Sequence, residues 1–371
     1  MIVKIGDVIS EYSVRNKFDE NIPVYSVTND KGFCTGYFSK EVASKDKSTY
    51  KIVPRGYFAY NPSRINVGSV DWQKYEDRVI VSPLYVVFGV SDRLDRQYLL
   101  HYLKSDMMLS FIKEYATGSV RDNLKLADLG KFPINLHPVE EQRQIATTLD
   151  KIDDLIAKRR QQLDKLDELV KSRFIEMFGD PLHPVHSRAL GDVAVLERGR
   201  FSPRPRNDPR YYGGDYPFIQ TGDITGCGHR LSEYRQTLNE KGIHVSKKFS
   251  AGTIVIAIVG ATIGATAILE IDVYAPDSVI GISVNDELYN NVFMEALLQF
   301  WQPELVRIAP ESARANINLR ILQSIPIIDV ELPRQLQFAA FVEQTDKSKY
   351  RQEKCIEFFR LLEKNIRQEW L

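Results

Sequence analysis

Apolar residues recur along this chain in two distinct rhythms. Ile145, Leu149, Ile152, Ile156, Arg159, Leu163, Leu166, Val170, Arg173 and Met177 step alternately by four and three, and eight of these ten are apolar. That spacing is the heptad of a coiled coil and predicts one helix over residues 139–178, about 60 Å long at roughly 1.5 Å per residue. Gly179-Asp180-Pro181 supplies its stop. Near the end of the chain Phe341, Thr345, Ser348, Gln352, Cys355, Phe359, Leu362 and Ile366 keep the same step, with a much more polar first half. Packed antiparallel on the first helix, this segment would set Ile366 near Leu149, Phe359 near Ile156 and Cys355 near Arg159.

Outside these segments the apolar runs are short, β-branched and bounded by Gly, Pro or Ser. Arg78–Val81, Tyr85–Phe88 and Thr253–Val259 read as strands, whereas Gln97–Glu114 and Asn291–Ile308 read as helices. Strand runs this short, interrupted by turn residues, predict compact mixed α/β domains rather than a doubly wound parallel sheet.

The two halves repeat one another. Lys4-Ile5-Gly6-Asp7-Val8 returns as Ala189-Leu190-Gly191-Asp192-Val193, and Pro23-Val24-Tyr25-Ser26-Val27 returns as Pro217-Phe218-Ile219-Gln220-Thr221. Asn123-Leu124-Lys125-Leu126, leading into Lys131-Phe132-Pro133-Ile134, is matched by Asn316-Ile317-Asn318-Leu319, leading into Ser324-Ile325-Pro326-Ile327. Each copy then reaches a proline, Pro138 or Pro333, and a glutamine-rich helix start. The unit is a globular part followed by a helix, used twice: 1–138, 139–179, 180–332 and 333–371. Two similar domains joined by two similar helices form a pseudo-twofold object, which suits a DNA duplex presenting half-sites at about 34 Å per helical turn.

Particular stretches carry a family resemblance. Gly199-Arg200-Phe201-Ser202-Pro203-Arg204-Pro205-Arg206, the run from Tyr211 to Ile224, and Gly260-Ala261-Thr262-Ile263-Gly264-Ala265-Thr266-Ala267-Ile268 resemble the second target-recognition domain of the specificity subunit of Type I restriction-modification systems. Tyr60-Asn61-Pro62-Ser63-Arg64-Ile65-Asn66-Val67-Gly68-Ser69 and Gly118–Leu124 resemble another branch of such domains, and the stretch from Pro138 to Ile145 is similar to the family's spacer helices. The second spacer departs from that pattern, because Pro333-Arg334-Gln335-Leu336-Gln337-Phe338 lacks the acidic residue before glutamine. The resemblance spans essentially the whole chain in the order domain, spacer, domain, spacer.

It implies an α+β protein: two mixed α/β target-recognition domains joined by two long antiparallel coiled-coil helices. It also implies double-stranded DNA, two methyltransferase subunits and restriction subunits as partners, and a role in host defence. S-adenosylmethionine, ATP and Mg2+ would serve those partner subunits, with no cofactor in this chain. The helix starts at Glu141, Gln142, Gln144, Gln335 and Gln337 are the expected docking positions.

The chemistry of the residues is compatible with a chain that is not itself an enzyme. No Asp/Glu-x-Lys triplet of a common metal-dependent nuclease core occurs. Asn61-Pro62-Ser63-Arg64 lacks the second proline and the aromatic of an amino-methyltransferase motif. Gly260 to Gly264 has no following Lys-Ser/Thr pair and reads as a strand connection rather than a phosphate loop. Cys227, His229 and His244, or His183 and His186, do not make four ligands at usable spacing, so no metal site is expected. Cys34, Cys227 and Cys355 stand far apart, no apolar run is long enough to cross a bilayer, and no secretory leader is evident, which predicts a cytoplasmic protein.

Charge tempers the DNA reading without removing it. The formal net charge is zero, and residues 1–138 carry 19 basic and 16 acidic side chains against 14 and 18 in residues 180–332. Contact therefore has to come from local loops, where Arg and Lys hold phosphates, Arg reads guanine, and Asn or Gln reads adenine. In the second domain Arg200, Ser202, Arg204 and Arg206 lie in a proline-stiffened loop, followed by Gln220 and Thr221. In the first, Asn61, Arg64, Arg121 and Asn123 follow strand-like runs, and Arg15, Thr262, Arg314 and Asn316 complete the candidates. The competing readings are a stand-alone bipartite DNA-binding regulator, a self-contained nuclease or methyltransferase, and a coiled-coil adaptor that ignores DNA.

Overall fold

The fold was analysed in a computed structural model that describes residues 1–36, 47–116, 123–309 and 316–370. The chain divides into two compact units, Met1–Arg160 with Glu353–Leu371, and Gln161–Gln352. The division falls inside the two long helices, so each unit consists of one mixed α/β domain and part of each helix.

In the first unit, strand Ile2–Lys4 pairs antiparallel with Pro133–Asn135, bringing the domain's entrance beside its exit. The Gly6 amide donates to the Gly130 carbonyl at 2.9 Å. A Cβ on Gly6 would lie 3.1 Å from that oxygen, which is why glycine stands here. A four-stranded sheet runs in the order Ile9–Glu11, Val86–Val90, Phe58–Tyr60, Val70–Trp72. Strands Lys51–Pro54 and Arg78–Val81 form a separate pair. Phe58, Tyr60 and Phe88 are fully buried under the helix Arg96–Leu103, together with Tyr98 and Leu99.

The second unit repeats this frame. Ser187–Ala189 pairs antiparallel with Pro326–Ile328, and the Leu190 amide donates to the Ile325 carbonyl at 2.8 Å. Its main sheet has the same order, Ala194–Arg198, Val279–Val284, Ile254–Ala257, Thr266–Leu269, extended by the short parallel strand Arg230–Leu231. A second sheet contains Gln236–Leu238, Tyr212–Phe218, Val273–Ala275 and Lys247–Phe249 in that order. The repeat holds at single hydrogen bonds: Tyr25 N donates to Ile80 O at 2.9 Å in one unit, and Ile219 N to Tyr274 O at 3.0 Å in the other.

The long helices run Val139–Phe178 and Leu332–Trp370. In the first unit Ile145 and Leu149 join the domain core, with Ile366 and Trp370 packed against it, so the two helix segments lie antiparallel. In the second unit Phe174 packs among Phe178, Phe293, Phe300 and Phe338 at centroid separations of 5.0 to 5.4 Å. The heptad positions from Ile145 to Met177 are all buried or half-buried. Phe174, outside that heptad, is fully buried because it belongs to the domain's core.

Several sequence expectations need correction. The second seam is buried or half-buried at seven of its eight expected positions and departs at Leu362, which is exposed, while Ile356 is more deeply buried than the neighbouring Cys355. Lys349 adds to that seam, only 14% exposed, because Asp167 neutralises it at 2.5 Å; a hydrophobic pattern cannot register a position satisfied by an ion pair. The helix expected over Gln97–Glu114 is two, Arg96–Leu103 and Asp106–Ala116. The Ser105 hydroxyl breaks it by donating to Tyr102 O and accepting from Met108 N. The two prolines are not equivalent, because Pro138 precedes its helix while Pro333 lies in the first turn of Leu332–Trp370. Among the described residues no helix is long and apolar enough to cross a membrane.

Candidate nucleic-acid interface

In the second unit the strand Tyr212–Phe218 pairs with Gln236–Leu238 so that Phe218 faces Gln236 across the ladder. Gln220, two residues beyond Phe218, thereby reaches the Gln236 side chain, donating from Nε2 to Gln236 Oε1 at 2.6 Å. Both amides line a cleft of about 550 Å³ with Arg206, Asn207, Tyr212 and Ser278, floored by Phe201 and Phe218. The Phe201 and Phe218 rings sit 5.1 Å apart and are almost wholly buried, so the cleft rests on a packed core.

The proline-stiffened loop forms one rim. Arg206 pairs with Asp277 at 2.6 Å, Arg204 approaches the same carboxylate at 3.9 Å, and Arg198 Nε donates to the Asp277 carbonyl at 2.6 Å. Three guanidinium groups thus converge on one residue, leaving the rim net positive. The Tyr212 hydroxyl donates to Arg206 O at 2.6 Å, and burial raises the Tyr212 pKa, keeping it a donor. Further along the loop, hydrogen bonds from Arg210 hold the Asp208 carboxyl below its ordinary range.

The remaining candidates divide. Ser202 is exposed on the loop, and Thr221 opens the short helix Thr221–Gly226 beside Gln220. Arg200 turns back into the domain, donating to the His244 and Ser246 carbonyls at 3.3 and 3.2 Å, and does not join the cleft. Thr262 donates to Val259 O at 2.9 Å, and Asn316 bridges the same Val259, so these two distant residues share one corner.

In the first unit Asn61 and Asn123 line one groove of about 900 Å³ with Glu11, Ser63 and Lys125. The Leu124 amide donates to Pro62 O at 3.1 Å and fixes this arrangement; the Ile317 amide makes the matching bond to Ile258 O at 3.0 Å in the second unit. Asn61 Oδ1 accepts from Ser63 N and Oγ, shaping the turn. Arg64 is exposed at the next turn, whereas Arg15 lies elsewhere, bridging Lys51. Arg121 and Arg314 lie outside the described residues.

The docking set requires a correction. Gln142 and Gln335 are fully buried and act as internal braces. Gln142 Oε1 accepts from Asp95 N at 2.8 Å while its Nε2 donates to Arg93 O and His137 O at 2.9 and 2.8 Å. Gln335 Oε1 accepts from Asn290 N at 2.9 Å, and its Nε2 donates to Leu288 O and Val330 O at 3.0 and 2.7 Å. Each glutamine ties a long helix to the residue that caps a domain helix, Asp95 or Asn290. Gln144 and Gln337 are exposed, and Glu141 is half-buried beside His137 at 3.3 Å. Arg334 precedes Gln335 as Glu141 precedes Gln142, and its guanidinium lies over the Phe178 ring.

Sequence reasoning missed Asn207, Gln236, Asp277 and Ser278. Asn207 adjoins the quoted loop and was within reach; Gln236 arrives through strand pairing, Asp277 through its ion pair with Arg206 and Ser278 from the adjoining strand connection, none with a local signal. Among the described residues no group of three His, Cys, Asp or Glu side chains is placed to hold a metal ion.

A family model described as a Type I restriction modification DNA specificity domain matches residues 2–168 and again 184–357. The specificity subunit of the Type I restriction enzyme MjaIX from Methanocaldococcus jannaschii is 28% identical over 147 residues, covering 35% of this chain and 34% of that subunit. The match thus spans about a third of that relative's length. The S subunit of a Type I restriction-modification system from M. genitalium aligns over 100% of this chain and 96% of its own, with 14% identity and a TM-score of 0.58. A chain from a structure of complex assembly and conformational transition in the type I R-M system gives the same coverage and TM-score at 18% identity. These two likenesses establish the shared fold.

Proposed function

Because this chain belongs to the family of Type I restriction modification DNA specificity domains, we propose that it is the non-catalytic specificity subunit of such a complex. Each domain reads one half of a split target in double-stranded DNA, and the long helices set the gap. The observation that carries this reading is the family match to both halves of a repeated frame, each bearing a polar cleft. In the second domain Arg206, Gln220 and the neighbouring Ser202, Arg204 and Thr221 face the duplex, with Thr262 and Asn316 at a second corner. In the first, Asn61, Arg64 and Asn123 do so, with Arg15 as an outlying phosphate contact.

Two methyltransferase subunits dock on the exposed helix surfaces, which include Gln144 and Gln337, the half-buried Glu141 at their edge, and the exposed side chains Leu169, Tyr350, Phe358 and Leu361. S-adenosylmethionine serves those subunits, and ATP with Mg2+ serves restriction subunits. The near-neutral charge gives the isolated chain weak DNA affinity, with partners supplying much of the phosphate contact. The test is co-expression with the methyltransferase partners, purification of the complex, and mapping of methylated adenines with and without this gene. A split motif that disappears on deletion supports the reading. An unchanged methylation map, or nanomolar binding of random duplex by the chain alone at physiological salt, overturns it.

A further inference from the structure

We infer that Gln220 and Gln236 together form the adenine-reading element of the second domain, with Arg206, steered by Asp277, as the adjoining backbone contact. This deepens the function proposed above and rests on it. A primary amide has two donor protons and two lone pairs, so the single bond between Gln220 Nε2 and Gln236 Oε1 uses one position on each. Gln236 Nε2 retains both protons beside the Gln220 side chain, and the pair offers donors and acceptors side by side. Adenine's major-groove edge, an N6 donor next to an N7 acceptor, is the edge that amides recognise.

The pairing also lowers the ordering cost of recognition. A lone glutamine on a loop loses rotamer freedom on contact, whereas each of these restrains the other and both stand on paired or capped backbone. Gln220 N donates to Asp223 Oδ2 at 2.8 Å, and Asp223 pairs with Arg235, the residue before Gln236, at 3.4 Å. The two ends of the reader are thereby tied through a second route.

Arg206 has a different role. Its Nη2 is held by Asp277, so the bidentate fork that selects guanine is partly occupied, while its positive charge remains at the cleft rim. It holds a phosphate and sets the depth at which the base edge meets the amides. Arg204 shares the same carboxylate and adds to that charge.

The experiment uses the purified complex of this chain with its methyltransferase partners, titrated against duplexes carrying the mapped motif and every single-base replacement of it. If the wild-type complex recognises no split motif, the proposed function fails before this inference is reached. With a motif in hand, Gln236→Leu abolishes discrimination at one adenine of one half-site, a change of about tenfold or more, and leaves the other half-site untouched. Gln236→Glu, nearly isosteric at an exposed position, removes the donor and shifts preference there towards cytosine, whose N4 donates to a carboxylate. Arg206→Ala weakens all duplexes alike and reduces the salt slope by about one, without altering base preference.

Discrimination unchanged at every position in both Gln236 variants overturns the inference. So does a variant of native melting temperature that binds no duplex, since one base contact does not carry the whole affinity. If Gln236→Leu does not fold, Gln236→Glu decides by the same readout.

Discussion

Gln142 in the first unit and Gln335 in the second each accept from the capping residue of a domain helix and donate to two carbonyls, at distances agreeing within about 0.1 Å. The clefts of the two units lie at different places in the repeat. One is built from Asn61, Ser63 and Asn123, the other from Arg206, Gln220 and Gln236. The halves therefore share the groups that hold a domain to its helix, while their clefts open at different points of the common frame.

The comparison is sharpest where the helix meets the core. The second unit uses an aromatic cluster around Phe174, whereas in the first Ile145 and Leu149 enter a core that mixes aliphatic and aromatic side chains. Phe174→Ala should cost about 4 kcal/mol and Leu149→Ala about 3 kcal/mol, each read by urea unfolding with hydrogen exchange assigned to its unit. Loss of protection in the other unit instead would break the division into units.

The glutamine braces come next. Gln142→Leu and Gln335→Leu each strand a buried amide and two carbonyls, and each should destabilise by about 3 kcal/mol. Equal values sharpen the equivalence; a loss under about 0.5 kcal/mol in either would remove it.

The glycines at the domain entrances should differ. A Cβ on Gly6 meets the Gly130 backbone at 3.1 Å, whereas one on Gly191 meets the Gln323 side chain at 3.1 Å. Backbone yields less than a side chain, so Gly6→Ala should cost about 1.5 kcal/mol and Gly191→Ala about half that, by the same unfolding measurement.

The smallest effect is one of pH. Burial works against protonation of His229, but the Glu295 carboxylate 3.3 Å away outweighs it and raises the pKa above 6.5. The stability from this pair is fully present below pH 6.5 and fades as pH rises through the folded value. The His229 side chain is 40% exposed, so the effect is modest. His229→Gln should flatten the decline in melting temperature between pH 6 and 8; an unaltered slope would assign that decline to other groups.

The frame was legible in the sequence because repetition and heptads are patterns of residue type. Gly6 and Gly191, Asn123 and Asn316, and the seam from Ile145 to Met177 all announce themselves by position. Gln142 and Gln335 were also visible as a repeat, but their polarity pointed outward, and only their partners reveal that they are interior. The cleft was half legible. Arg206 and Gln220 belong to distinctive local stretches, whereas Gln236 and Asp277 reach it through pairings across 16 and 71 residues that no local pattern records. The second seam was legible too, Thr345 included, which is buried and bonded to Phe341 O; half-buried Lys349 escaped notice because its charge is neutralised by Asp167.

The terminal ribbons have a consequence for change over evolutionary time. Ile2–Lys4 lies against Pro133–Asn135, and Ser187–Ala189 against Pro326–Ile328, so each domain departs from and returns to a single fixed doorway. Whatever lengthens, shortens or rewrites the excursion between them leaves the handover to the following helix where it was. The strand Arg230–Leu231 extends the main sheet of the second excursion and has no counterpart among the described residues of the first. A lineage can thus exchange the text of one excursion wholesale while the doorway, its glycine and its buried glutamine continue unedited.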